Sequence, residues 1–375
     1  MINLPELRHK LHSIPELSGS EIQTSNIIYE LLESLKPDTL LRNIGGHGIL
    51  AVFDSGEPGN TVLFRADMDA LPILEPNQVS YSSKFDGVSH KCGHDGHMTM
   101  LCGFAVYCAQ NLPLKGKVIL LFQPAEETGS GALNVLNDEK FAVYKPDYSF
   151  ALHNLPGFPV NAVVLKDQTF AAASKGIIIN LSGVHAHASE PEKGVSPGIV
   201  LSNLIRRLPL LANSNIENSD YSLITIVHAS LGAPSFGTSP ADAVIMLTLR
   251  AYDDNVMDAV TLQIVQTVEE LTTLKKLKYS IGYTDVFPAT VNHREAVSFV
   301  RNAANRLDLE MLELNTPFKW SEDFAHFTLN SKGTLFGIGS GVDHLSLHNP
   351  LYDFPDTILD TGVQIWKEIY QQLNF

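Results

Sequence analysis

Eight consecutive residues, His90-Lys91-Cys92-Gly93-His94-Asp95-Gly96-His97, bring a thiol, imidazoles and a carboxylate into one short stretch. A thiolate and an imidazole two residues apart, ahead of a helix whose N-terminal dipole favours anions, can share a metal ion. A merely polar turn can carry the same residues, so the spacing alone leaves both readings open. Further along, Gln123-Pro124-Ala125-Glu126-Glu127 sets two carboxylates side by side after an apolar run. In extended backbone successive side chains diverge by roughly 180°. One carboxylate would then bind metal while its neighbour faces the substrate and takes a proton from activated water. The alternative, a solvated acidic turn, is weakened by the proline that punctuates the end of a buried strand. His153 in Leu152-His153-Asn154-Leu155-Pro156 and His348 in Leu347-His348-Asn349-Pro350 each sit among apolar residues next to a turn-setting proline. Singly, each reads as a hydrogen-bonded core histidine. With Cys92, His94 and Glu127 they form a set of N, S and O donors sufficient for two divalent ions, such as zinc or manganese, with open positions for water.

These side chains can meet only if the elements before them end at one edge. Val62-Leu63-Phe64 leads into Arg65, Asp67 and Asp69, the run 119–122 into Glu126 and Glu127, and Phe150-Ala151-Leu152 into His153. Short apolar runs alternating with helical stretches predict an α/β layer with a largely parallel sheet, and such sheets bind ligands at the carboxyl ends of their strands. An amphipathic helix is expected after Ser18, with Ser20 and Gln23 as a capping box, and another over 97–111. Between about 175 and 288 the order becomes β-α-β-β-α-β, the ferredoxin-like arrangement, read as an inserted second domain. The expected division is 1–174 with 289–375 for the first domain and 175–288 for the second; 375 residues exceed what a single core of roughly 250–300 usually organises.

Composition narrows the partners. Lys and Arg number 26 against 41 Asp and Glu, and a formal charge of -15 disfavours nucleic acid and anionic lipid surfaces. No run approaches the roughly 18–20 apolar residues of a membrane span. Cys92, Cys102 and Cys108 form no CxxC pair, which fits a reducing cytoplasm and no disulfide framework. Cys102 and Cys108 fall at apolar helix positions and read as core. The amino terminus lacks an apolar signal core and reads as mature from Met1.

The segments His12-Ser13-Ile14-Pro15-Glu16-Leu17, Arg65-Ala66-Asp67-Met68-Asp69-Ala70-Leu71-Pro72, Cys92-Gly93-His94-Asp95-Gly96-His97, 122–127 and His348-Asn349-Pro350 resemble, in the same order, the N-acyl-amino-acid amidohydrolase branch of the dinuclear metallopeptidases. That branch includes hippurate hydrolases, auxin-conjugate hydrolases and N-acetyldiaminopimelate deacetylases. The resemblance implies a zinc-peptidase-like α/β catalytic domain with a mostly parallel mixed sheet. It also implies an inserted ferredoxin-like lid through which a homodimer forms. It implies two divalent ions per subunit, manganese or zinc with cobalt or nickel as further candidates, held by Cys92, His94, Glu127, His153 and His348. Glu126 would be the general base in hydrolysis of an N-acyl amino acid, and Asp67 would hold the Cys92/His94 loop or a ligand imidazole in place. Arg65 stands where the wider clan often has a ligand histidine and is implied to be structural. His187, in Gly183-Val184-His185-Ala186-His187-Ala188-Ser189, would donate to the oxyanion, whereas His185 stands where a small residue is usual. Arg250 would lie near the substrate carboxylate and Asn292 near the hinge as a substrate contact, with Glu322 and Asp323 supporting the site. Gly237-Thr238-Ser239 lacks the asparagine the family commonly has before Pro240, which points to altered specificity.

Rival readings are a dipeptidase of the same clan, a cysteine hydrolase with Cys92 as nucleophile and His94 or His97 as base, and a non-catalytic binding protein on a hydrolase scaffold.

Overall fold

The apolar runs that precede the candidate residues all form strands. In the computed structural model, which describes residues 2–373, they belong to one eight-stranded sheet. Its spatial order is Thr39–Ile44, Gly48–Asp54, Lys117–Gln123, Thr61–Asp67, Tyr148–Pro156, Lys332–Gly341, Val163–Leu165 and Met311–Glu313. The middle four, from Lys117–Gln123 to Lys332–Gly341, run parallel, so Asp67, Gln123 and His153 emerge toward the same edge. These strands are buried almost throughout, as expected where both faces are covered and Val, Ile, Leu and Phe follow one another without alternation.

Two edges depart from the parallel rule. Thr39–Ile44 and Gly48–Asp54 pair antiparallel with each other, and Gly48–Asp54 pairs antiparallel with Lys117–Gln123. Val163–Leu165 is antiparallel to Lys332–Gly341. The edge strand Thr39–Ile44 went unread because its pattern is half polar, and its register shifts between Arg42 and Ile44, where Asn43 takes φ +59°.

The sequence reading of the helices needs two corrections. Ser20 and Gln23 make no capping box on helix Ile22–Leu35, whose N-cap is Glu21 and carries no side-chain cap. The longer Glu16 carboxylate reaches back instead and accepts from Gln23 N at 3.1 Å and Thr24 N at 2.9 Å. The helix expected over 97–111 runs His94–Gln110, so His94 is its first residue. Gly93 makes that start possible: its φ is +95°, and a Cβ there would come 2.6 Å from Asn154 Oδ1.

His94–Gln110 packs against the C-terminal helix Leu359–Leu373 and the N-terminal helix Leu4–His12 over the sheet, through Leu7, Met100, Leu101, Phe104, Val363 and Trp366. The approach is close enough that a Cβ on Gly362 would meet Met100 Sδ at 2.0 Å. Cys102 and Cys108 are buried core thiols here, and none of the three cysteines is bridged.

The chain divides into two compact units. The first comprises the chain up to Phe170, Thr290–Asn315 and the chain from Glu322 onward; the second comprises Ala171–Ala289 and Thr316–Ser321. The short return Thr316–Ser321, read from sequence with the first domain, joins the second because Phe318 O and Trp320 O both accept the Ala172 amide at 3.0 Å. Met1, Asn374 and Phe375 lie outside the described residues.

The second unit is a four-stranded antiparallel sheet in the order Ser222–Leu231, Asp242–Ala251, Ala173–Ser182, Lys278–Phe287. With helices Gly198–Arg207 and Asp254–Lys275 this is the β-α-β-β-α-β ferredoxin-like order. Asp242–Ala251 alternates buried and partly exposed residues, and Ile177, Ile179, Ile245, Leu247, Leu204 and Ile264 share its core. Among the described residues no helix is long and apolar enough to cross a membrane.

Candidate metal centre

Each donor of the first unit is aimed by its own second contact. His94 Nδ1 lies 2.9 Å from Asp69 O, so its N–H donates to that carbonyl and Nε2 faces inward. There Nε2 lies 3.7 Å from Asp67 Oδ2 and 3.8 Å from Glu127 Oε1, buried and with no hydrogen-bond partner. His153 is oriented the same way, Nδ1 donating to Asn154 O at 2.9 Å, with Nε2 3.6 Å from Cys92 Sγ. His348 reaches in from a residue at φ +64°, fixed by its amide donating to Lys91 O at 2.8 Å, and its Nε2 is 3.8 Å from Glu127 Oε1.

Ligand atoms of Cys92, His94 and His153 lie within 4.8 Å of one another, as do those of Cys92, Glu127 and His348, and those of His94, Glu126 and Glu127. The five donors singled out in the sequence are therefore brought together, with Cys92 common to two groups. Outward-turned second nitrogens, inward orphan atoms such as His94 Nε2 and Glu127 Oε1, and a mixed S, N and O set fit borderline-soft divalent cations.

Electrostatics agree. Burial, then the Glu322 and Glu127 carboxylates, push Glu126 well above its ordinary range. Burial raises Glu127 to about 7 although His94 opposes it. Burial and Glu127 push the Cys92 thiol well up. Burial alone would lower His94, but Asp67, Asp69 and Glu127 hold it up at about 10. The pocket thus concentrates acid that the protein's own cations leave unbalanced, and bound divalent ions would reverse these shifts.

The paired glutamates differ from the extended geometry read from sequence. Residues 126–129 form a turn, with Gly129 N donating to Glu126 O at 2.8 Å and Ala125 at φ +54°. The two carboxylates consequently converge beside His94 instead of pointing to opposite faces. Glu127 N donates to Asp69 Oδ2 at 3.0 Å, and Asp323 N to Glu126 Oε1 at 3.4 Å.

Asp67 holds His97, in the segment that carries Cys92 and His94. Its Oδ1 lies 2.6 Å from His97 Nδ1, while Oδ2 accepts from Arg65 at 2.8 Å. His97 Nε2 meets Asn154 Oδ1 at 2.6 Å. Arg65 is fully buried and spans Asp67, Gln123, Glu322 and Asp323. Sequence reasoning missed His97 and Asn154 as supports; the Cys92–His97 motif carried the first of them.

Two expectations change. Asn292 spends its amide on backbone, donating to Lys166 O and Leu335 O at 3.0 and 2.8 Å and accepting from Leu335 N at 2.8 Å, so it ties strands together and presents no group to a substrate. The imidazole in hydrogen-bond contact with the Cys92 thiol is His153, at 3.6 Å, and burial pushes that thiol up, away from the thiolate a nucleophile needs. His187 and Arg250 belong to the second unit. There His187 Nδ1 is 2.7 Å from Ser189 Oγ, and Arg250 donates to Lys319 O at 2.8 Å and Ser321 Oγ at 3.2 Å. His185 is exposed, 3.6 Å from Asp242.

The family model described as peptidase family M20/M25/M40 matches residues 63–372. The chain belongs to this family. M20 relatives include the N-acetyl-L-cysteine deacetylase of Bacillus subtilis, 31% identical over 94% of this chain and 84% of that one. The hippurate hydrolase of Campylobacter jejuni is 32% identical over 97% and 94%. A Bacillus subtilis M20 protein of known structure, described as a dinuclear metal binding peptidase, is 25% identical and superimposes with a TM-score of 0.84 over 98% of this chain and 96% of that one. This M20 chain is accordingly a metallo-amidohydrolase of the branch its motifs resemble.

Proposed function

We propose that the protein hydrolyses the amide bond of N-acyl amino acids, using two divalent ions held by Cys92, His94, Glu127, His153 and His348, with Glu126 as general base. The observation that carries this reading is the convergence of sulfur, nitrogen and oxygen donors in overlapping groups, with a further buried carboxylate, Glu126, beside His94 and Glu127. When bound, the ions supply Lewis-acid chemistry, polarising the amide carbonyl and lowering the pKa of water. Glu126 takes the proton of the attacking water as its oxygen bonds to the acyl carbon, and hands that proton to the amine nitrogen as the C–N bond breaks. The products are a carboxylate and a free amino acid.

Asp67 supports the site by fixing His97, which through Asn154 holds the backbone beside His153. His187 as donor to the developing oxyanion, Arg250 as the cation for the substrate carboxylate, a homodimer formed through the second unit, manganese or zinc as the resident metal, and a cytoplasmic setting complete the proposal. They rest on the family resemblance. Acetyl and benzoyl groups are the first acyl groups to try, since relatives are named for N-acetylcysteine and hippurate.

The test is a turnover screen of N-acetyl, N-benzoyl and indole-acyl amino acids and a few dipeptides, on metal-free protein resupplied with manganese or zinc. Release of amino acid from acyl conjugates is expected. Preference for dipeptides would move the reading to a dipeptidase, and no turnover on any of them to a binding protein.

A further inference from the structure

Ala125 precedes the paired glutamates and adopts φ +54°, a left-handed conformation that is unfavourable for a non-glycine residue and needs outside support. The support comes from the start of the chain. Ala125 N donates to Glu21 Oε1 at 2.9 Å, and Gly19 N donates to the same oxygen at 2.9 Å. Glu21 is fully buried, and its Oε2 has no hydrogen-bond partner. It is the N-cap residue of Ile22–Leu35, but its side chain bonds none of that helix's amides, a task the Glu16 carboxylate performs. The neighbouring residues converge on the same turn: Ala70 N donates to Glu16 O at 2.8 Å, and Ser18 Oγ donates at 2.6 Å to the Asp69 oxygen that also receives Glu127 N.

We propose that Glu21 is a positioning residue of the metal centre: by accepting the Ala125 amide it locks the left-handed backbone that turns Glu126 and Glu127 together into the pocket. The role needs a carbonyl-type oxygen at that reach and no negative charge. Burial raises Glu21 above the usual carboxylate range. The turnover arm of the test below rests on the hydrolase reading; the metal arm does not.

Glu21→Gln keeps an acceptor oxygen at the same distance, whereas Glu21→Met keeps the volume and removes the acceptor. Affinity for Mn²⁺ and Zn²⁺ is read by competition with a chromogenic chelator, alongside kcat and KM on the best acyl amino acid. Glu21→Met is expected to lose about tenfold or more in metal affinity and in kcat, with KM nearly unchanged, the range typical of residues that support ligands from behind. Glu21→Gln is expected to restore both. Wild-type metal affinity in Glu21→Met, or a Glu21→Gln variant as weak as Glu21→Met, overturns the proposal. If Glu21→Met does not fold, Glu21→Asp withdraws the acceptor by one methylene, and unchanged metal affinity there overturns it equally. Wild-type protein that binds metal but turns over no substrate defeats the hydrolase reading and leaves the metal arm to decide Glu21.

Discussion

Two buried polar clusters meet the helix His94–Gln110, and they are balanced differently. On the side of Asp95, each acid faces a cation: Asp95 lies 2.7 Å from His12 Nδ1 and 3.4 Å from Arg8, and Glu75 lies 3.0 Å from His12 Nε2 and also binds Lys91 Nζ. Arg8 is paired with Asp353 at 2.9 Å as well. On the side of His94, Glu126, Glu127, Asp67 and Asp69 crowd one pocket beside a thiol, and the nearby Arg65 is already committed to Asp67, Glu322 and Asp323. Buried charge alone therefore does not distinguish a structural cluster from a functional one. The distinguishing feature is charge and ligand capacity that the protein itself leaves unanswered.

That contrast breaks most visibly under chelation. Stripping metal should bring amide hydrolysis to background and lower stability, by about 2.7 kcal/mol for each ion previously present at a hundred times its Kd. Thermal unfolding with and without chelator reads the stability term, and full activity after complete metal removal would sink the metal reading. Next, Glu126→Ala should keep its metal and lose turnover by about three orders of magnitude, within the range general bases supply. Metal analysis beside kcat checks it, and near-normal turnover removes Glu126 from its role.

In the balanced cluster, His12→Ala should cost about 3–5 kcal/mol in urea unfolding, because Asp95 and Glu75 lose a shared buried partner. The same pair gives a pH signature. Burial alone would lower His12, but Asp95 and Glu75 hold it at about 9 against an ordinary 6.5. Its contribution is complete below 6.5 and is lost as pH rises through about 9. Glu75, held down at about 2 by His12 and Lys91 despite burial, contributes fully above 4.5 and loses that contribution as pH falls through about 2. Between roughly pH 6.5 and 9.5 the wild type should therefore lose more stability than His12→Ala. Equal slopes for the two proteins would deny the coupling. The smallest effect belongs to His185→Ala, an exposed change expected to stay within about 0.5 kcal/mol and to leave turnover intact.

The chemistry was legible where residue type decides it. Cys92, Glu127 and His348 lie at turns, His94 opens a helix, and His153 follows the apolar run 150–152 within its strand, while the apolar run 243–249 announces a strand whose one-sided burial appears only in the fold. What stayed hidden depends on distant partners. The turn at Ala125 is held by a residue 104 positions earlier, which the capping pattern of Ser20 and Gln23 disguised as an ordinary helix start. Asn292 looked available because its three backbone partners come from Lys166 and Leu335. Edge strand Thr39–Ile44 lacked the continuous apolar run that marks the central strands.

The Arg65 pairing also sets a clock. Glu322 and Asp323 follow Arg65 by 257 and 258 positions. At about 5–20 residues per second a ribosome needs about 13–51 s to make that stretch. Until then the Arg65 guanidinium, in the middle of the central sheet, has only Asp67 and Gln123 to answer it. The second unit needs Thr316–Ser321 as well, so it too is completed only as the chain reaches Glu322. Synthesis therefore delivers the last piece of the insert and the partners of Arg65 together, and the host closes around the charge only when about the last seventh of the chain emerges.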